Sequence, residues 1–228
     1  MELSVQEMRE RLLKVASASI YDVLDNMGYP GQCISLDIKP VTPTSHLAGP
    51  AFTIRGSREP RYDNDLKRPQ FEDFGVFRAM SEGCIVVINA EADRHCGHWG
   101  EMMSYSARQF GAKGVVVDGG TRDREGLAAI PDWPVFARCT TPIESKKRWR
   151  SLEFQAPIFV TGTLTSMVRV NPGDWIVGDP DGVLVIPSEI VHDVLIAVEK
   201  IEENEEGTRR DLAAGIPVAE VYRKYGRM

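Results

Sequence analysis

Short runs of continuous apolar residues alternate along the chain with segments whose apolar positions recur at helical spacing. Continuous runs stand at Cys84-Ile85-Val86-Val87-Ile88-Asn89 and Gly114-Val115-Val116-Val117, with shorter ones at Ile34–Ile38, Ala51–Arg55 and Val135–Ala137. Runs this short and rich in β-branched residues predict strands, and the two longest suit strands covered on both faces. Between them Trp99, Met102, Met103, Ala107 and Phe110 fall at helical spacing over residues 99–110, which Gly111 ends. Helices are also predicted over Phe71–Ser81 and Arg124–Ala129. This βαβα order predicts an α/β layered fold with some parallel pairing.

Both ends of the chain read as helical. Glu2–Val15 is rich in helix formers, and Ser17–Met27 follows with Ser17 or Ser19 as its N-cap and Gly28 and Pro30 as its stop. Glu189–Ala213 reads as one long acidic helix or two shorter ones, and a last helix ends near Tyr225. From Ile158 to Ile186 the pattern changes to short strands at Ile158–Val160, Thr165–Val170, Trp175–Val177 and Val183–Ile186. The turn sequences Asn171-Pro172-Gly173-Asp174 and Asp179-Pro180-Asp181-Gly182 between them predict antiparallel pairing. Gly56–Pro69, dense in charge and proline, predicts a loop of the length that lids have.

With 228 residues, 43% of them hydrophobic and 26% charged, the chain reads as one soluble globular domain, 1–228. Its parts are N-terminal helices (1–30), an α/β core (31–187) and a C-terminal helical tail (188–228). No apolar run approaches the roughly 20 residues of a membrane span, and the first residues lack the features of a secretion signal, so a cytoplasmic location without membrane partners is expected. The four cysteines are scattered and read as free thiols. A net charge of −6 argues against a nucleic-acid partner, and the short basic cluster Lys146-Lys147-Arg148-Trp149-Arg150 reads as solvated surface or subunit contact.

The chemistry concentrates in a few places. In Gly114-Val115-Val116-Val117-Asp118-Gly119-Gly120-Thr121-Arg122-Asp123, a buried strand delivers two glycines, a cation and a carboxylate to the rim of a sheet. The glycines suit either an ordinary turn or the close approach of a small anion, and Asp118 suits a turn-stabilising role. Arg122 can grip a carboxylate or keto oxygen through parallel hydrogen bonds, and Asp123 can hold a hard cation. Gly100-Glu101-Met102-Met103 opens a helix whose free N–H groups suit a carboxylate. His95-Cys96-Gly97-His98 lacks a matching second ligand pair, so zinc is not expected there, though either histidine can line the pocket. No G-x-S-x-G, G-x-x-x-x-G-K-[ST] or G-x-G-x-x-G occurs, which leaves metal-assisted chemistry on a small anion as the best-supported class.

The ordered set Trp99–Met103, Gly111–Asp123, Pro134–Ala137, Val170–Pro187 and Asn204–Gly215 resembles the RraA-like family, and within it the class II 4-hydroxy-4-methyl-2-oxoglutarate aldolases, which also decarboxylate oxaloacetate. The resemblance implies a three-layer α/β/α core of the swivelling-domain kind and homotrimers or homohexamers with sites between subunits. It implies that Asp123 holds Mg²⁺ or Mn²⁺, that Arg122 binds a 2-oxo acid and steadies its enolate, and that the Gly100, Glu101, Met102 and Met103 backbone receives the carboxylate. It further implies that Glu101 orients water and that Glu205 or Glu206 of a neighbouring subunit completes the site. The loop from Arg55 to Gln70 and His95-Cys96-Gly97-His98 depart from the family pattern at the pocket mouth, so a different 4-hydroxy-2-oxo acid stays open as substrate. A second role also stays open, that of a regulator binding an RNA-degrading enzyme, as the family's founding member does.

Overall fold

The computed structural model describes residues 3–58 and 75–226. Most of the loop expected over 56–69, and the first four residues of the helix expected over 71–81, lie outside the described residues. The chain begins with helices α1 (Val5–Leu12) and α2 (Ser17–Asn26), followed by strands β1 (Lys39–Pro40) and β2 (Leu47–Arg58) and the short helix α3 (Gly75–Arg78). Next come β3 (Ile85–Gly97), α4 (Glu101–Gln109), β4 (Val115–Thr121), α5 (Arg124–Ala128) and β5 (Val135–Thr140). Strands β6 (Trp149–Phe154), β7 (Ile158–Thr161), β8 (Met167–Val170), β9 (Trp175–Gly178) and β10 (Val183–Ile186) precede helices α6 (Val191–Ala213) and α7 (Val218–Tyr225).

One mixed sheet runs β1-β5-β4-β3-β2-β9-β10, with β6 added to the far end of β2. Strands β2, β3, β4 and β5 are parallel, whereas β9 and β10 attach antiparallel, as the turn-rich sequence predicts. Within the continuous apolar runs the period of two is still present. Val86, Ile88, Val115 and Val117 face Trp99, Ala107 and Leu127 of the α4–α5 layer, while Ile85, Val87 and Val116 face Ile158, Val160, Val168 and Val170 of the β7–β8 hairpin. Helices α1, α2 and α6 close over Trp175, Val177, Leu184 and Ile186 at the β9–β10 end. The α/β class and the helical extensions are therefore those the sequence leads one to expect.

Several local expectations change. Ile34–Ile38 forms no strand; it makes one single bridge, Ile34 with Gly162, next to that of Cys33 with Leu184, because Ile34 and Ile38 plug the core rather than extend the sheet. Neither Ser17 nor Ser19 caps α2. The N-cap is Ala16, and the capping acceptor comes from far along the chain, since Asp179 accepts from both the N–H and the hydroxyl of Ser17 at 2.8 Å. Gly28 does stop α2, with φ of 87°. The basic cluster splits: Lys146, Lys147 and Arg148 are exposed, but Trp149 and Arg150 are buried at the start of β6, a strand hidden by its charge.

Asp118 is not a turn residue. It is buried in β4, accepts from Arg138 Nε at 2.7 Å and from the backbone and hydroxyl of Thr161 at 2.8 and 3.0 Å, and so ties β4 to β5 and β7. The adjacent glycines also act by contact rather than by exposing backbone. A Cβ on Gly119 would stand 2.7 Å from Ala90 Cβ and 2.9 Å from His98 Nδ1, and one on Gly120 would stand 2.5 Å from Cys96 O. Side chains there would drive β3 off β4.

Candidate active site

Parallel α/β sheets present ligands with the carboxyl ends of their strands. In this chain the segments leaving β3, β4 and β5 meet around a cavity of about 220 Å³ lined by Gly97, His98, Trp99, Gly100, Met102, Met103, Arg122, Asp123, Glu144 and Ser145. Trp99 locks the junction. Its indole N–H donates to Ser104 Oγ at 2.7 Å, and its carbonyl accepts from Arg122 N at 3.0 Å and Thr121 Oγ1 at 2.8 Å. The end of β4 and the start of α4 are thereby held in one relation.

Asp123 has φ of 62°, a left-handed conformation that aspartate tolerates better than most residues, and this turn sets its carboxylate across to the start of α4. There Oδ2 accepts from Glu101 N at 3.3 Å and from Arg122 Nε at 3.2 Å. The site needs Gly100, because a Cβ there would stand 2.6 Å from Asp123 Oδ2. The first intrahelical bond of α4 runs from Ser104 N to Gly100 O, so the N–H groups of Met102 and Met103 have no acceptor within the helix.

Of the residues singled out in the sequence, Gly100, Met102, Met103, Arg122 and Asp123 come together on the cavity wall. Glu101 supplies a backbone N–H, but its carboxylate leans against Gly126 of α5 and does not line the cavity. Glu205 and Glu206 lie on α6, which packs with α1, α2 and α7, and neither lines the cavity of its own chain. Sequence reasoning missed Glu144, which approaches Arg122 Nη1 at 4.0 Å, and Ser145. The signal was available: both follow β5, the fourth parallel strand, where a site on the carboxyl edge draws its residues.

His98 lines the same cavity and sits in a buried group with Asp93 and Cys96. Burial pushes His98 below its ordinary pKa, against the opposing pull of the Gly120 carbonyl and Asp93. Burial alone would raise Asp93, but hydrogen bonds from the side chain and backbone of His95 and from Cys96 bring it down to about 2. Burial, reinforced by Asp93, pushes the Cys96 thiol up to about 12, which favours the protonated thiol at neutral pH.

A cation and a carboxylate beside a helix N-terminus, at the carboxyl ends of parallel strands, mark the candidate site of an α/β protein, and that arrangement suits a small anionic ligand. The chain belongs to the RraA-like family: the family profile described as Aldolase/RraA matches residues 17–185. DlpA of Legionella pneumophila is 28% identical over 223 residues, which are 97% of this chain but 34% of DlpA, so the chain spans about a third of that relative's length. A Halalkalibacterium halodurans protein with the provisional name 4-hydroxy-4-methyl-2-oxoglutarate aldolase is 29% identical over 211 residues, 91% of this chain and 90% of its own. The crystal structure of Streptomyces coelicolor RraAS2, described as an unusual member of the RNase ES inhibitor RraA protein family, superposes with a TM-score of 0.75 at 23% identity, covering 92% of this chain and 98% of its own. At that identity the likeness speaks for the fold alone.

Proposed function

We propose that the chain is a divalent-metal-dependent C–C lyase that cleaves a 4-hydroxy-2-oxo acid to pyruvate and a second oxo compound, and that decarboxylates oxaloacetate as a side activity. The observation that carries this reading is the pairing of Arg122 with Asp123 on the wall that also exposes the first turn of α4. The aldolase name of the H. halodurans relative supports it.

The donor set fits a hard cation. Among the described residues Asp123 and Glu144 are the carboxylates on the cavity wall, and an ion such as Mg²⁺ or Mn²⁺ is held by one or two carboxylates with water filling its other positions. Asp123 is the assigned ligand. The ion would supply Lewis-acid stabilisation of charge on the 2-oxo oxygen. Arg122 supplies two parallel N–H donors to the substrate carboxylate or keto oxygen, and the Met102 and Met103 amides receive the other carboxylate oxygen. When the bond between carbons 3 and 4 breaks, the 4-hydroxyl gives its proton to water as its oxygen becomes the second oxo group, the electron pair enters the pyruvate enolate, and water returns a proton to carbon 3; the fixed donors stabilise the enolate charge more than they stabilise the substrate. Glu101 is assigned to orient water, and Glu205 or Glu206 of a neighbouring subunit to complete the site in a homotrimer or homohexamer. Met102, 65% exposed beside the cavity, and exposed Tyr105 on the same helix support a subunit contact there.

Pyruvate release, followed through lactate dehydrogenase and NADH, tests the reading with oxaloacetate and with 4-hydroxy-4-methyl-2-oxoglutarate. Activity should need Mg²⁺ or Mn²⁺, vanish in EDTA and be lost in Asp123→Asn. A folded protein inactive on every 2-oxo acid with either metal, yet binding a ribonuclease, would give the regulator reading the place of this one.

A further inference from the structure

Strand β3 is longer than its partner along their shared edge. Pairing runs from Ile88 with Val117 to Asp93 with Gly119 and then to Gly97 with Gly120, so β3 twice uses extra residues that β4 does not match. The excess is absorbed partly at Glu91 and Ala92, consecutive non-glycine residues with φ of 55° and 56°. Such backbone is costly and persists only where its surroundings impose it. Its result is to turn Asp93, Cys96 and His98 toward one point, with exposures of 4%, 0% and 2%.

The spacing of the three donors is specific. Asp93 Oδ2 stands 3.2 Å from His98 Nε2 and 3.4 Å from Cys96 Sγ, and Sγ stands 3.6 Å from Nε2. A tetrahedral zinc ion with bonds of about 2.3 Å to sulfur and about 2.0 Å to nitrogen and oxygen separates its ligands by roughly 3.3–3.6 Å. All three edges agree with that figure to about 0.1 Å.

The hydrogen bonds around the group point the same way. His98 Nδ1 lies 3.1 Å from the Gly120 carbonyl; donating there makes Nε2 the lone-pair nitrogen, and it then faces a carboxylate oxygen. With a neutral imidazole, two electron-rich atoms meet in a buried space, and the single thiol proton cannot serve both. Asp93's other oxygen is turned outward to His95 Nδ1 at 2.5 Å and Arg58 Nη2 at 3.3 Å, which orients Oδ2 inward. Such outer partners are what ligating carboxylates and histidines usually have.

We propose that Asp93, Cys96 and His98 bind one Zn²⁺, distinct from the cation assigned to Asp123, with water in the fourth position. Binding releases the Cys96 proton to solvent and leaves the thiolate on the metal. The ion pins the bulge of β3 onto Gly119 and Gly120. It thereby fixes Gly97–Gly100, one wall of the cavity, and is a positioning rather than a catalytic group.

The test is metal analysis of the full-length protein together with Co²⁺ substitution. The expected result is one zinc per chain, retained in Asp123→Asn, and a thiolate-to-cobalt charge-transfer band in the near ultraviolet. Cys96→Ser should remove the band and weaken zinc by about 100-fold or more in competition with a chromophoric chelator; Cys139→Ser should change neither. Asp93→Asn, which keeps size and shape, provides a second ligand variant should Cys96→Ser fold poorly. Folded wild-type protein that takes up less than about 0.1 equivalent of zinc, or shows the same cobalt spectrum with and without Cys96, would overturn the proposal.

Discussion

Two aspartates five residues apart at the end of one strand should fail in opposite ways when each is replaced by asparagine. Asp118 is 1% exposed and faces Arg138, whose side chain is 5% exposed, at 2.7 Å. Removing one member of a buried pair leaves an uncompensated charge, at a cost of about 3–5 kcal/mol. Arg138 keeps Asp37 at 2.9 Å, an exposed partner, which puts Asp118→Asn near the low end at about 3 kcal/mol. Asp123 is 37% exposed, its contacts are longer, and asparagine tolerates the left-handed backbone, so Asp123→Asn should cost at most about 1 kcal/mol. Urea unfolding followed by tryptophan fluorescence reads the difference, because Trp99, Trp133, Trp149 and Trp175 are all buried. With a slope of about 2 kcal/mol/M, Asp118→Asn should lower the midpoint by about 1.5 M and Asp123→Asn by less than about 0.5 M. Pyruvate release should reverse the order, falling by about 10²–10³ in Asp123→Asn and by less than tenfold in folded Asp118→Asn. Equal stability losses in the two variants, or an Asp118→Asn midpoint within about 0.5 M of wild type, would refute the division between support and chemistry.

Other substitutions probe the junction. Gly100→Ala should cut pyruvate release by about tenfold or more while the urea midpoint moves little, since the new Cβ meets Asp123 Oδ2 at 2.6 Å and the backbone there is extended. Ser104→Ala leaves the buried Trp99 indole N–H without its acceptor and should cost about 1–3 kcal/mol in the same unfolding assay. Arg122→Lys gives up parallel donation and should raise KM for the 2-oxo acid, measured by initial rates, even though charge is kept. Asp179 is pushed up by burial but brought below its ordinary pKa by the Ser17, Asp181 and Gly182 hydrogen bonds, so its contribution is complete above about pH 4 and fades as pH falls through the folded value. The stability gap between wild type and Asp179→Asn should therefore be wide at pH 7 and narrow toward pH 2.5; a constant gap would remove Asp179 from the acid response.

The parallel strands were legible because burial on both faces leaves an uninterrupted apolar run, and the extent of α4 because Gly111 ends it; the stripe expected on α4 is not its core face, since Trp99 and Ala107 are buried but Met102, Met103 and Phe110 are exposed. Strand β6 was not, since its charge comes before its burial in any reading of Lys146–Arg150, and only its antiparallel pairing with β2, from Trp149 with Arg58 to Phe154 with Ile54, shows the segment to be sheet. The α2 cap was misread for the same reason in reverse: Ser17 has the right chemistry but donates to Asp179, 162 residues away. At the site, contiguous motifs placed Arg122, Asp123 and the Gly100–Met103 turn, whereas Glu144 and Ser145 carried no motif and joined only through the topology of the sheet.

The glycines of this region share a cause that no local pattern expresses. Gly97 and Gly100 leave room for Arg122 and Asp123, Gly119 and Gly120 for His98 and the Cys96 carbonyl, and Gly126 for the Glu101 side chain. None of the five has the positive φ that makes glycine conformationally necessary. They are absent side chains at a place where three chain segments cross at backbone distance. A site built this way has little slack: Arg122 and Asp123 on one segment and the α4 amides on another hold their relative positions because nothing larger separates them. The proposed lyase chemistry would need that rigidity, since donors already in place need no reorganisation when charge appears as a bond breaks.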